Sequence, residues 1–448
     1  MKVHFIAIGG AAMHNLAIAL HKKGDVVTGS DDEIEEPSRS RLAANGLLPS
    51  ELGWFPEKLS DEIDTVILGK HARPDNPELL EAKKLGLKIC SFPEYLFQQT
   101  RDKVRVVISG SHGKTTITAM VLFVLRRMGI KTDYLIGSQI DGFSTGLSLS
   151  DENRIAIFEG DEYLTSAIDK RPKFHVYQPH IAVISGIEWD HIDAFPTFDD
   201  YVEQFRIFSK LIERDGKLIF SEKDNNIREI ADNVREDVTA IPYSIPDYDI
   251  ISGVTYLNNK YGSFPLKIFG AHNMQNIEAA RLVCRQIGVK DQDFYESIAE
   301  FTGLPYRMEK IAFNGNSSVF CDLANTPSNV LASVDALKRQ FPERKLLICL
   351  ELYTGSSLSS GYLPQYTGSL EGVAEKLIYF DPDKKDVQIS CDDIVSVFGK
   401  ECIVFTNKED LLDRLNSLSL KDANLLFMTS RGFVSSEIRG WARKMLLD

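Results

Sequence analysis

A glycine-rich segment has the residue types and the setting of a phosphate-binding loop. It lies between an apolar run at 104–109 and a long helical pattern, and it reads Gly110-Ser111-His112-Gly113-Lys114-Thr115-Thr116. Glycines let backbone N–H groups curl around phosphate oxygens, and a helix N-terminus adds partial positive charge. Lys114 can bridge the outer phosphates, and the Thr115 hydroxyl can hold Mg²⁺. Ile108 occupies the place of a further glycine, so the loop is a shortened variant. The alternative is a glycine-rich turn with a chance Lys-Thr pair.

Two polar segments follow the next apolar runs. Glu159-Gly160-Asp161-Glu162-Tyr163 comes after the run 154–158, and Glu188-Trp189-Asp190-His191 comes after the run 181–184. The carboxyl ends of parallel strands face a ligand crevice, and carboxylates suit the Mg²⁺ that accompanies ATP. An acidic surface turn is the alternative for the first segment. Taken alone, His191 fits a capping role, because Mg²⁺ prefers oxygen. Beside a phosphate loop and a carboxylate cluster, a metal role for His191 is favoured.

The elements that must position these segments alternate between strands and helices. Apolar runs at 3–8, 25–30 and 65–68, with a helical pattern at 15–22, precede the polar stretch 98–103. Continuous apolar strands separated by helices predict parallel sheets covered on both faces, and hence an α/β fold. A second α/β unit extends from 104 to about 303, where Gly303-Leu304-Pro305 marks a break. The third unit has a helical pattern at 329–341 and strand patterns at 319–323, 346–351, 377–380, 403–406 and 425–429.

Composition restricts the class of protein. The 448 residues are 43% hydrophobic and 26% charged, which excludes disordered, collagenous and coiled-coil classes. No apolar run is long enough to span a membrane, and the N-terminus enters a strand pattern at once, unlike a signal peptide. The net charge of -13 argues against a broad nucleic-acid surface. The six cysteines are scattered and form no Cys-x-x-Cys pair, which predicts buried free thiols in a reducing cytoplasm. The histidines form no zinc-like cluster.

The order of the segments resembles the Mur ligase family, the ATP-dependent amide-forming enzymes of bacterial cell-wall synthesis. Residues 110–116 match G-S/T-H-G-K-T-T, residues 159–162 match E-x-D-E, and residues 188–193 match E-x-D-H-x-D. Further along the chain, residues 270–276 match G-x-H-N-x-x-N, residues 304–309 resemble the family's linker signature, and residues 322–327 resemble D-x-A-H-H/T-P. Each motif is short, but six in the family's order along nearly the whole chain are highly specific.

The resemblance implies three domains and one reaction. The domains would be a Rossmann-like UDP-sugar-binding domain at 1–100, a central P-loop ATPase domain at 101–303 and a Rossmann-like C-terminal domain at 304–448. In the implied reaction, a carboxylate of a UDP-muramoyl substrate attacks the γ-phosphate of ATP. An amine then displaces phosphate from the acyl phosphate to form an amide. Lys114 and Mg²⁺ can offset the repulsion between the two anions.

The resemblance also implies a role for each matching residue. The implied catalytic residues are Lys114, Glu159, His191 and Arg307. The nucleotide would contact Gly110, His112, Gly113, Lys114, Thr115, Thr116, Arg307 and Asp322, with the adenine near His272, Asn273 and Asn276. Thr115 and Glu159 would hold a first Mg²⁺ or Mn²⁺ and His191 a second, while Gly9, Gly10 and Asp31 would contact the UDP-sugar. Structural alternatives are a helix-capping pair for His272 and Asn273, an exposed linker charge for Arg307, a loop cap for Asp322, and a packing turn for Gly9-Gly10.

Four short segments indicate a branch of the family. Residues 159–163, 169–174, 177–179 and 430–433 resemble the branch that attaches the recycled tripeptide L-alanyl-γ-D-glutamyl-meso-diaminopimelate to UDP-N-acetylmuramate. The branch that adds L-alanine to the same sugar is the alternative, followed by an altered or inactive relative. We expect no nucleic-acid partner and either a monomer or a weak homodimer.

Four departures from the family pattern bear on the acceptor. Ala7 replaces the first glycine of a G-x-G-G loop, Gly186 replaces an asparagine, and Asn325 replaces a histidine. Residues 352–356 replace a Pro-Arg-Ser segment, which removes a cation from the region expected to face the amine. The phosphate loop is intact, so activation chemistry is expected to survive. A non-catalytic UDP-muramoyl-binding protein, a folylpolyglutamate synthetase-like ligase and, from Gly9-Gly10 and Asp31 alone, a dehydrogenase remain competing hypotheses.

Overall fold

The computed structural model describes residues 1–138, 140, 142–143, 145–166, 168–189, 194–384, 387–430, 432–433 and 436–447. The chain forms two compact units, residues 1–244 with 276–297, and residues 245–275 with 298–448. His191 and Arg431 lie outside the described residues. Among the described residues, no helix combines the length and apolar character needed to cross a membrane.

A four-stranded parallel sheet begins the first unit, in the order β2-β1-β3-β4. Its strands are β1 (Lys2–Ile6), β2 (Val26–Ser30), β3 (Thr65–Leu68) and β4 (Ile89–Ser91), and its helices are α1 (Met13–Lys23), α2 (Ser38–Ala44), α3 (Pro77–Lys84) and α4 (Phe92–Gln99), with a 3₁₀ turn at Pro56–Lys58. All four residues of β3 are buried, as expected for a parallel strand covered on both faces. A capping box begins α4, in which Ser91 and Glu94 satisfy each other's backbone N–H groups.

A seven-stranded sheet follows in the same unit, in the order β11-β10-β9-β5-β8-β6-β7. Its strands are β5 (Val104–Ser109), β6 (Asp133–Leu135), β7 (Leu147–Ser148), β8 (Ile155–Glu159), β9 (Ile181–Ile184), β10 (Lys217–Ser221) and β11 (Thr239–Tyr243), and its helices are α5 (Lys114–Arg127), α6 (Lys173–Val176), α7 (Phe198–Lys210) and α8 (Asn225–Asp232). The central strand β5 is parallel to β8 on one side and to β9 on the other. The loops after these three strands therefore begin side by side.

The turn that joins the two sheets is bound by a buried arginine. Arg105 is only 1% exposed, and its guanidinium donates to the backbone oxygens of Thr100 and Arg101 and to the carboxylate of Glu213. Apolar side chains of both sheets form one continuous core. The predicted first domain and residues 101–244 and 276–297 of the predicted second domain therefore form one compact unit. The predicted boundaries at 100 and 303 stay predictions.

The second unit contains two further sheets. An antiparallel sheet consists of β12 (Tyr248–Ile251), β13 (Val254–Asn259) and β14 (Gly262–Leu266). Helices α9 (Ala271–Ile287) and α10 (Asp291–Ile298) follow it along the chain, and their residues from 276 to 297 belong to the first unit. The last sheet, in the order β15-β16-β20-β17-β18-β19, consists of β15 (Glu309–Phe313), β16 (Ser318–Asp322), β17 (Lys345–Leu352), β18 (Glu375–Phe380), β19 (Ile403–Phe405) and β20 (Ala423–Met428). Its helices are α11 (Pro327–Gln340), α12 (Cys391–Phe398), α13 (Lys408–Asn416) and α14 (Ser436–Leu447), with a 3₁₀ turn at Leu363–Tyr366.

Five strands of the last sheet coincide with the predicted apolar runs, and β15, which is antiparallel to β16, was not predicted. All six cysteines are free thiols, and Cys391 alone among them is exposed. The prediction of buried free thiols is therefore confirmed for the other five.

Candidate functional site

The phosphate-loop segment forms the turn from β5 into α5. Gly110 and Gly113 have φ angles of 122° and 82°, in the region that favours glycine. A Cβ at Gly110 would lie 2.8 Å from the backbone nitrogen of Ser185, and a Cβ at Gly113 would lie 2.5 Å from Oδ1 of Asn276. Both glycines are therefore required by backbone geometry and by close approach. The second contact also brings Asn276, a predicted adenine-site residue, against the loop.

Lys114 begins α5 and is held by charge and by the loop itself. Its Nζ donates to the backbone oxygen of Gly110 at 2.6 Å and lies 2.9 Å from the carboxylate of Glu162. Burial opposes the charged form, but the carboxylates of Glu162, Asp161 and Glu159 outweigh that effect and raise the pKa of Lys114. The ammonium is therefore charged at neutral pH and stands where a phosphate-bridging lysine is predicted.

Thr115 and Glu159, the two residues predicted to hold the first metal, lie in contact. The Thr115 hydroxyl donates to Oε1 of Glu159 at 2.7 Å, and the backbone N–H of Gly137 donates to Oε2 at 2.7 Å. Within the described part of the chain, no three His, Cys, Asp or Glu side chains form a metal-holding cluster. One hydroxyl and one carboxylate fit Mg²⁺, which prefers oxygen ligands and keeps waters and phosphate oxygens in its shell.

The segment after β9 is bound to the phosphate loop. The backbone N–H of Ser111 donates to the oxygen of Gly186 at 2.8 Å, and the Ser111 hydroxyl bonds both backbone groups of Glu188 at 2.8 Å. His112 Nε2 lies 2.9 Å from the carboxylate of Glu188. A Cβ at Gly186 would meet no atom within 4 Å, so the departure from the family's asparagine leaves open space at this position.

Two site residues were not predicted as such from the sequence. Tyr201 on α7 is fully buried, and its hydroxyl lies 3.0 Å from Oγ of Ser111 and 3.3 Å from Oε1 of Glu162. Lys173 donates to Asp161 at 2.6 Å. Burial would raise the pKa of Asp161, but the charge of Lys173 prevails and lowers it. The tyrosine resembles a core residue of an amphipathic helix, whereas Lys173 lies in the stretch that indicated the family branch.

The predicted UDP-sugar residues lie at the carboxyl edge of the first sheet. The backbone N–H of Gly9 donates to Oδ2 of Asp31 at 2.7 Å, and the backbone oxygen of Gly10 lies 3.0 Å from Nδ1 of His14. Burial raises the pKa of Asp31 against the opposing effect of the Gly9 N–H. Ala7 adopts a φ of 70°, so the turn keeps a glycine-like conformation despite the substitution.

Three predicted nucleotide residues of the second unit, His272, Arg307 and Asp322, are close enough to interact electrostatically. The N–H of Asn273 donates to the backbone oxygen of Gly270, and its side chain donates to that of Phe269, which is the capping geometry considered as the alternative. Burial and the charge of Arg307 lower the pKa of His272, and the charge of Asp322 opposes this shift without reversing it.

Neighbouring positions of the second unit are held by hydrogen bonds. Oδ2 of Asp322 accepts from Ser333 at 2.7 Å, and the backbone oxygen of Asn325 accepts from the Tyr366 hydroxyl. Asp322 and Asn325 are thus both fixed at the carboxyl end of β16.

The chain is similar to known proteins of one family. Residues 2–103 match the model of the Mur ligase family catalytic domain, and residues 108–284 match the Mur ligase middle domain. A UDP-N-acetylmuramate--L-alanine ligase of Limosilactobacillus reuteri is 30% identical over 381 residues, which cover 82% of each chain.

Two solved structures resemble the whole fold. A UDP-N-acetylmuramate-alanine ligase from Thermotoga maritima has a TM-score of 0.72 at 20% identity and covers 97% of each chain. A murein peptide ligase from Psychrobacter arcticus has a TM-score of 0.65 at 23% identity, covering 100% of this chain and 98% of that one. The predicted family and fold class are confirmed: the chain belongs to the Mur ligase family of ATP-dependent, C–N bond-forming ligases and has its three-domain α/β architecture.

Proposed function

We propose that this protein activates the carboxylate of UDP-N-acetylmuramate with ATP and joins it to the tripeptide L-alanyl-γ-D-glutamyl-meso-diaminopimelate, in peptidoglycan recycling in the cytoplasm. The observation that carries the proposal is the meeting of three loops after β5, β8 and β9, where Lys114 pairs with Glu162 and Thr115 with Glu159. The central strand β5 lies between β9 and β8, so the chain leaves it toward opposite sides of the sheet. Ligands of open α/β sheets bind outside the carboxyl ends of the strands at such a point.

In the proposed reaction, the substrate carboxylate attacks the γ-phosphorus of ATP, the bond to the β–γ bridging oxygen breaks, and ADP leaves. The Lys114 ammonium exchanges its pairing with Glu162 for the outer phosphates and offsets the charge of the transferring group. Mg²⁺, held by Thr115 and Glu159, would neutralise phosphate oxygens. The amine then attacks the acyl carbon, phosphate leaves, and an amide results.

The remaining roles are proposals of the same kind. The backbone of Gly110, His112 and Gly113, with Thr116, would cradle phosphates, and His191 would hold a second metal. His272, Asn273 and Asn276 would line the adenine site, with Arg307 and Asp322 reaching the nucleotide. Gly9, Gly10 and Asp31 would bind the UDP-sugar. The protein is proposed to act as a monomer or a weak homodimer.

The tripeptide is the favoured acceptor because of the stretch around residues 169–174. Here Asp169 accepts from the guanidinium of Arg171, and Lys173 is paired with Asp161 beside the phosphate loop. L-Alanine is the second candidate, because the relative from Limosilactobacillus reuteri is named as a ligase for L-alanine. The two candidates share ATP and the sugar nucleotide and differ only in the amine.

The test is phosphate release from Mg-ATP with UDP-N-acetylmuramate, with the tripeptide and L-alanine assayed in parallel. We expect turnover with the tripeptide, and Lys114→Ala is the matched inactive control. Turnover with L-alanine alone would assign the second candidate. Binding of the sugar nucleotide without phosphate release with either amine would contradict a ligase for both acceptors and favour a non-catalytic binding protein.

A further inference from the structure

A lysine that matches none of the sequence motifs joins the first sheet to the acidic segment after β8. Lys70 lies in the loop that follows β3, and its Nζ stands 3.4 Å from the centre of the Tyr163 ring. A cation at this distance over an aromatic face is attracted by the ring quadrupole. The contact gives the exposed lysine a defined direction, toward the segment that contains Glu162.

The backbone that carries the Tyr163 ring is held by two hydrogen bonds. The backbone N–H of Tyr163 donates to Oδ1 of Asp161 at 3.0 Å, and its backbone oxygen accepts from the N–H of Lys173 at 2.9 Å. The preceding residue, Glu162, is the ion-pair partner of Lys114. The contact of Lys70 with Tyr163 therefore joins the loop after β3 to the segment that also contains the partner of Lys114.

The loop that contains Lys70 is held against the first sheet at its start. The backbone N–H of Gly69 donates to the oxygen of Ile6 at 2.9 Å, and a Cβ at Gly69 would lie 2.9 Å from Cβ of Ala7. The loop after β3 thus starts against the Ala7 turn, which leads into Gly9 and Gly10. Lys70 extends from the proposed sugar-nucleotide edge toward the proposed ATP site.

We propose that Lys70 binds the carboxylate of the sugar-nucleotide substrate and presents it to ATP, an inference that rests on the proposed function. A lysine ammonium has three N–H donors and can bind both oxygens of a carboxylate. The positive charge would favour an anion that must approach a triphosphate. The contact directs the ammonium to the segment that also contains Glu162, the partner of Lys114, and the substrate carboxylate must reach this segment to attack ATP, which favours the carboxylate over the diphosphate as the ligand of Lys70.

The experiment compares two sugar nucleotides by calorimetric titration. UDP-N-acetylmuramate carries the lactyl carboxylate, whereas UDP-N-acetylglucosamine has the same uridine and diphosphate without it. We expect Lys70→Met to weaken binding of the muramate about tenfold, as for a lost hydrogen bond between charged groups, and to leave binding of the glucosamine nucleotide unchanged. Lys70→Arg should restore most of the loss. Lys84→Met, at an exposed lysine of α3 paired with Glu81, is the matched control.

Tyr163 variants test the contact with the ring separately. Tyr163→Phe keeps the aromatic face and should bind the muramate like the wild type, whereas Tyr163→Leu should lose affinity like Lys70→Met. Equal weakening of both nucleotides by Lys70→Met would assign the lysine to the diphosphate and overturn the inference. If the wild type binds UDP-N-acetylmuramate more tightly than UDP-N-acetylglucosamine and Lys70→Met keeps this preference, the inference is overturned and the proposed function is not. A wild type without any such preference would overturn the proposed function as well.

Discussion

The pairing of Lys114 with Glu162 predicts a measurable energetic coupling between the phosphate loop and the acidic segment. The side chains are 15% and 2% exposed, so each charge is shielded from water and is stabilised in large part by the other. Removing one partner of a buried ion pair costs about 3–5 kcal/mol, because the other charge stays buried and uncompensated. We expect the lower end of this range for Lys114→Met, since its own side chain is partly exposed.

The double-variant cycle separates the pair from its surroundings. Glu162→Gln should cost less, about 2 kcal/mol, because Asp161 and Glu159 still stabilise the ammonium of Lys114. Lys114→Met/Glu162→Gln contains no uncompensated charge at this place and should be more stable than the sum of the single changes by about 2–3 kcal/mol. The free energy of unfolding from urea denaturation at neutral pH measures all four corners.

The pH dependence of the stability of Lys114→Met provides a second test of the buried ion pair. A buried carboxylate without its counter-charge has a raised pKa, so the folded variant binds protons more readily than the unfolded chain. Its deficit in stability relative to the wild type should therefore shrink as the pH falls. Additive single-variant costs, or a deficit that does not change with pH, would refute the buried ion pair. ATP turnover should be absent in both Lys114 variants.

Three further changes test individual contacts. Tyr201→Phe removes the hydroxyl beside Ser111 and should lower kcat in steady-state kinetics while costing about 1 kcal/mol in urea denaturation; an unchanged kcat would contradict a positioning role. Gly113→Ala should abolish ATP binding in calorimetry, because φ is 82° and a Cβ would lie 2.5 Å from a side-chain oxygen of α9. Lys173→Met removes the charge that lowers the pKa of Asp161, so its stability deficit relative to the wild type, measured by urea denaturation, should shrink as the pH falls; a deficit that does not change with pH would contradict this.

The placement of the three loops that form the site could be predicted from the sequence, because it depends on local patterns of apolar and polar residues. Apolar runs followed by Gly110, Glu159 and Glu188 are sufficient to place three loops at the carboxyl edge of one parallel sheet. The register of β5 with β8 and β9 then brings the loops together. Thr115 and Glu159 meet for this reason, although 44 residues separate them.

The contacts that sequence patterns did not predict are those made by side chains from other elements. Tyr201 is spaced like a core residue on α7, and its hydroxyl is directed at Ser111 only because α7 packs beside the phosphate loop. Lys70 belongs to an ordinary charged loop until the fold brings it over Tyr163. Ala7 departs from the family's glycine, and its φ of 70° gives the turn a conformation that the sequence alone did not predict.

The most direct test of the central claim follows an oxygen atom. UDP-N-acetylmuramate labelled with ¹⁸O at both oxygens of its lactyl carboxylate is incubated with the protein, Mg-ATP and the tripeptide, and the released phosphate is analysed by mass spectrometry. Attack of the carboxylate on ATP predicts one ¹⁸O atom in each phosphate released with the amide. Amide formation with unlabelled phosphate would contradict activation through an acyl phosphate.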